Sequence, residues 1–278
     1  YEEMLCATLI QLAHPDPFTY SGRFNDYPRK ALFHTEDIAA FWSVYDLAAP
    51  DFPAKAFETG YLETGTPGLK GFIPMRIESG KKLVRTIRAN RGYYEHIRPS
   101  TLSIPSHHMT LYAHCEQLQF LYPQAVFPDV YFVIGRNNTG GAVFNGGLII
   151  GAERFGERTE SYNPALSVDQ LEPVVIHELI HFQQQYARSN TLLAQCLREG
   201  SADFLCELIT GKVSCDAAIY TYGNTHADAL KKAFLAVRNE TDWSEWLYKS
   251  KRKDRPEDLG YWIGYSICKA YYAKATDK

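Results

Sequence analysis

Between His34 and Ala49 the sequence HTEDIAAFWSVYDLAA places Ile38, Phe41, Trp42 and Tyr45 on one face of a 3.6-residue repeat. The spacing predicts a helix, with Thr35 suited to cap it and Glu36 and Asp37 suited to its first turn. DFPAKAFETGYLETG follows, with Pro53 at a position where an early helical turn tolerates it, and KKLVRTIRANRGYYEHI reads as a further helix. Residues 1–105 are thus expected to form a helical N-terminal region. The pattern changes after Pro105. A helix near Leu111–Leu121 is followed by DVYFVIG and GAVFNGGLIIGAE, short runs rich in Val, Ile, Tyr and Phe that are bounded by Gly and Asn and read as strands. RNNTGG between them holds residues that tolerate turns, so a hairpin is expected there. From Leu166 onward helices return. Ser167 and Gln170 suit a capping box and Pro173 an early turn, for a helix running to about Arg188. The next helix spans about Leu192 to Ile209 and stops at Gly211, and the last lies in PEDLGYWIGYSICKAYYAKA. The expected class is α+β, mainly helical, with a small sheet. Residues 106–278 form the second region.

Composition narrows the functional classes. Lys and Arg total 29 against 32 for Asp and Glu, a net charge of −3, which supplies no field for a phosphate backbone or an anionic membrane surface. Nucleic acid is therefore not expected as a partner. The charge run KSKRKDR is short and interrupted by Asp254, as in a solvated loop. No apolar run reaches the roughly 18–20 residues that span a bilayer. The six cysteines lie far apart without a C-x-x-C pair, unlike a disulfide scaffold or a zinc finger. Near the N-terminus MLCATLIQLAHPDP has the apolar core of a signal peptide but no basic leader, and with Tyr1 rather than Met in first place a shortened sequence and a processed secreted chain both stay open.

The chemistry concentrates in EPVVIHELIHFQQQYA. On a helix His177 and His181 share a face and can both direct a ring nitrogen at one ion, with Glu178 beside them. This H-E-x-x-H arrangement supplies two neutral nitrogen ligands and a carboxylate able to take a proton from zinc-activated water. A catalytic zinc wants a third protein ligand, yet only His226 follows His181 among the histidines. Glu199, in LREGSADFLCELITG, is the better candidate: the 17 residues between it and His181 allow a turn and a second, antiparallel helix. Asp203, one helical turn further, is placed to accept a hydrogen bond from the outer nitrogen of a ligating histidine. Oxyanion stabilisation calls for another donor, and Tyr261 and Tyr265 are the first candidates, with His226 a weaker rival. A purely structural zinc site would instead need a fourth ligand, for which Cys206 is nearest.

HELIHFQQQ, LREGSADFLCELITG and LGYWIGYSICKAYY, preceded by VYFVIGRNNTGG and GLIIGAE, together resemble the bacterial family of predicted zinc-dependent proteases related to the gliding motility lipoprotein B. The likeness extends upstream through FHTEDIAAFWSVYD and IRPSTL, so it covers most of the chain. It implies a zincin-like, gluzincin-type catalytic domain with a helical N-terminal region, a periplasmic or cell-envelope location, and a peptide or protein substrate. By the same resemblance His177, His181 and Glu199 bind one Zn2+ and Glu178 is the general base. In zinc aminopeptidases of this fold a glycine-rich strand ahead of the metal helix ends in a glutamate that holds the substrate amine, and GGLIIGAERFG presents Glu153 comparably. The backbone of strand 142–151 can alternatively pair with an extended peptide. Two functions follow: a zinc metallopeptidase, or a non-catalytic envelope protein with a structural zinc.

Overall fold

A computed structural model describes residues 24–184, 189–248, 252 and 254–276. The signal-like stretch Met4–Ala13 and most of KSKRKDR lie outside them. The chain divides into two compact units, Thr19–Leu179 and the described part of Ile180–Lys278.

The first unit is built around a four-stranded sheet, β1 (Phe33–His34), β2 (Val130–Val133), β3 (Gly141–Phe144) and β4 (Gly147–Gly151), in the order β1-β2-β4-β3. β1 and β2 pair in parallel, as do β2 and β4, whereas β3 is an antiparallel edge. Every residue of β2 and β4 is buried, and both read as continuous apolar runs, as strands covered on both faces should. The hairpin forms one step later than expected. RNNTGG is the connection from β2 to β3, and the reversal joins Phe144 to Gly147 through Asn145 and Gly146, a pairing that favours two-residue turns. Gly147 has φ +145, and a Cβ there would lie 2.2 Å from the Asp129 carbonyl, so only glycine fits.

Helices α1 (Glu36–Ala48), α2 (Ala54–Phe57), α3 (Pro67–Phe72), α4 (Gly80–Ala89), α5 (Arg91–Ser103) and α6 (His108–Leu121) belong to this unit. In α1 the expected stripe of Ile38, Phe41, Trp42 and Tyr45 is buried, with Phe41 edge-on to Trp42 and Tyr61. Thr35 stands at the N-cap without a side-chain cap bond. Asp37 is buried and accepts the Thr66 N–H at 3.1 Å, so it anchors the start of α3 and burial holds its pKa above the usual range. KKLVRTIRANRGYYEHI forms two helices rather than one. Asn90 interrupts them, its Nδ2 donating to the Thr86 carbonyl at 3.0 Å, a local alternative to helix continuation.

Both bonds of the Ser167/Gln170 capping box form, and the turn they close leads into α7 (Leu171–Gln183). The unit boundary falls inside this continuous helix. In the second unit Thr191 caps α8 (Leu192–Thr210) by accepting the Ala194 N–H, and Gly211, at φ 76, ends it in the left-handed conformation. Helices α9 (Ala217–Thr225), α10 (Ala227–Val237) and α11 (Leu259–Lys274) complete it. Its core gathers Leu192, Cys196, Leu230, Phe234, Leu259 and Trp262. α8 and α11 touch backbone to backbone, since a Cβ on Gly264 would lie 1.7 Å from the Cys196 carbonyl and one on Gly200 would lie 2.1 Å from the Tyr265 nitrogen. Gly264→Ala is therefore expected to cost roughly 3 kcal/mol in a urea titration. Gly140→Ala, whose nearest neighbour is Leu166 Cδ1 at 3.6 Å, should stay within about 0.5 kcal/mol of the parent.

Candidate metal centre

His177 and His181 lie one turn apart on α7, and Glu199 comes from the second turn of α8. One ring nitrogen from each histidine and one Glu199 oxygen all lie within 4.8 Å of one another. His177 and Glu199 are buried and His181 partly so. The His181 Nε2 to Glu199 Oε2 separation is 3.4 Å. Two ligands about 2.1 Å from a tetrahedral centre stand about 3.4 Å apart, so this pair already spans one edge of a zinc coordination shell. Two imidazole nitrogens and a carboxylate are also a donor set that zinc accepts. The residues fit the ion.

Neighbours meet the remaining polar atoms of His181 and Glu199. His181 Nδ1 pairs with Gln184 Oε1 at 2.6 Å, while Gln184 Nε2 donates to the Arg198 carbonyl and to Ser201 Oγ, each at 2.8 Å. On Glu199, Oε1 accepts the Tyr248 hydroxyl at 2.8 Å. Burial, followed by the Glu199 charge, pushes the Tyr248 phenol upward, so it remains a proton donor. Tyr261 is raised by the same two causes in the same order. Neither Gln184 nor Tyr248 was expected from the sequence. Gln184 carried a faint signal, three residues past His181 and hence on its face; Tyr248, 49 positions from Glu199, carried none.

The other expected residues have surroundings of their own. Tyr265 directs its hydroxyl to Glu207 and accepts from Lys269 Nζ at 2.6 Å, and its ring packs edge-on to Phe204 and Tyr220. Asp203 is wholly buried and accepts from the Ser214 N–H and Oγ, the Cys215 thiol and the Tyr220 hydroxyl, which fastens the segment after α8 back onto that helix. Beside His181 Nδ1 stands Gln184. Cys206 is a buried thiol that donates to the Lys212 carbonyl at 3.3 Å. His226 is exposed, stacked on Tyr222 and bonded to its carbonyl.

Two glutamates of the first unit contrast. Glu178 is partly buried, and its carboxylate lies against Gly141 at the start of β3, where an added Cβ would stand 3.0 Å from Oε1. Glu153, in the turn after β4, is 0% exposed; Oε1 accepts the Asn137 N–H at 3.0 Å, and burial raises its pKa. It braces the connection from β2 to β3 from inside and offers no exposed oxygen to an amine.

A histidine pair on one helix with a glutamate from the next defines a candidate zinc centre. Residues 157–278, which contain all three side chains and α11, match the model of a family described as Predicted Zn-dependent protease (DUF2268). No curated protein and no solved structure matches the chain. Because the Tyr248 ring is half exposed, Tyr248→Phe should fold normally, yet lose the donor to Glu199 and bind zinc about tenfold more weakly in a chelator competition.

Proposed function

We propose that the chain is a zinc-dependent peptidase of the gluzincin type, with a zincin-like catalytic region over residues 106–278 and the helical region 1–105 packed on it. The carrying observation is the convergence of His177, His181 and Glu199, with Glu178 next to the first histidine in sequence. Among the described residues no fourth His, Cys, Asp or Glu joins this group. Three protein ligands are what a catalytic zinc has, and the thiol that would close a structural site, that of Cys206, is directed at Lys212.

Zinc bound there would supply Lewis-acid polarisation of a peptide carbonyl and activation of water at neutral pH. Glu178 takes the proton of the attacking water and returns it to the leaving amine. Tyr261 is favoured over Tyr265 as the oxyanion donor, since its phenol lies within the field of Glu199 whereas the Tyr265 hydroxyl is committed to Glu207 and Lys269. The outer edge of β3 is the natural place for an extended peptide, because that strand pairs only with β4 within the four-stranded sheet and runs past Glu178. The resemblance to cell-envelope proteases supports an envelope location.

Elemental analysis with a peptide-library digest tests this reading. Wild type and Glu178→Gln should each carry one zinc per chain, Glu199→Ala much less, and only wild type should cleave peptides. Equal zinc in all three with no cleavage would defeat the assignment. Gly141→Val should leave zinc content intact while kcat falls by about tenfold or more as the Glu178 carboxylate is displaced.

A further inference from the structure

Gln184 holds two elements together at the edge of the metal group. The Arg198 carbonyl can only accept a hydrogen bond, so the amide atom facing it at 2.8 Å must be the NH2 group. That group has a second proton, which Ser201 Oγ accepts at the same distance. The orientation of the amide is thereby decided without reference to the histidine: its oxygen faces His181. An oxygen 2.6 Å from His181 Nδ1 requires the proton to reside on that nitrogen. In the neutral ring Nε2 then carries a lone pair, and it is Nε2 that faces Glu199 Oε2.

We infer that Gln184 is the positioning residue of the centre, setting the tautomer and aim of His181 from an anchor on α8. This inference rests on the zinc reading for its purpose, not for its geometry. The chain of constraint runs from a backbone carbonyl of α8 through the Gln184 amide to the imidazole of α7. Arg198 immediately precedes Glu199, so the segment that supplies the carboxylate ligand also dictates which nitrogen of His181 is presented to the ion. Two ligands from different helices are registered to each other before any ion arrives. An isolated carboxylate beside Nδ1 would fix the tautomer but not this register, because it could not donate to the carbonyl.

The test uses the zinc-free full chain, with 15N-detected imidazole resonances recorded well above the histidine titration range, alongside zinc affinity by chelator competition. Wild type should show His181 as a single Nδ1–H tautomer. Gln184→Met keeps the side-chain volume but neither accepts from Nδ1 nor donates to Arg198, and should give a tautomer mixture and roughly tenfold weaker zinc binding. Gln184→Glu restores the acceptor and should recover the Nδ1–H tautomer. Wild-type His181 in the Nε2–H form, or a Met variant unchanged in tautomer and affinity, would overturn the proposal. Since the tautomer is read without metal, a wild type that fails to bind zinc would sink the peptidase reading while leaving the role of Gln184 to be decided by the spectra.

Discussion

The approach of α8 to α11 governs the second unit. Helix axes normally stand apart by the thickness of their side chains, but at Gly200 and Gly264 those side chains are missing and peptide groups meet. Contacts between backbones cannot adjust by rotamer changes, so the position and rotation of α8 about its own axis are fixed at this crossing. Glu199 is the residue before Gly200. Its carboxylate therefore inherits a direction set by peptide planes, and Tyr261 on α11 is brought under its electrostatic influence by the same crossing. A metal ligand on a helix free to roll would need its own buttresses; here the helix is the buttress.

Buried carboxylates in this protein separate into kinds according to what surrounds them. Asp203 accepts from Ser214, Cys215 and Tyr220 and so holds a loop onto its helix. Burial raises the pKa of Glu153, and its carboxyl group braces a strand connection. Glu199 differs, because a tyrosine hydroxyl meets one oxygen and the other faces an imidazole nitrogen at 3.4 Å. Its neighbours leave it suited to a cation rather than to a hydrogen-bonded loop.

The sequence revealed features that depend on short separations. The stripe of α1, the Ser167/Gln170 box, the Gly211 stop and the facing of His177 and His181 all follow from periodicities of a few residues, where backbone geometry dictates the outcome. Glu199 was reached by a longer inference, from ligand count and the scarcity of later histidines. What escaped was decided by tertiary packing. Tyr248 reaches Glu199 across 49 positions from a residue at φ 58, a conformation no propensity predicts for tyrosine. The strand connection was misjudged because RNNTGG and Asn145–Gly146 both tolerate positive φ, and only the pairing partner of β4 decides which one reverses the chain.

Tyr261 and Tyr265 show where such reasoning ends. Four residues apart on α11, they share a face, and spacing alone treats them as equivalent donors. Their surroundings do not. Tyr265 meets Glu207 and Lys269, an acceptor and a donor that together absorb its hydroxyl, whereas Tyr261 shares the electrostatic environment of Glu199 and Tyr248. One helical turn displaces a hydroxyl by about 5 Å along the axis. Over that distance the neighbour supplied by α8 changes from the carboxylate of Glu199 to that of Glu207, which pairs with Lys269 of α11 itself. Helical periodicity can thus nominate a pair of side chains, but the partner helix chooses between them.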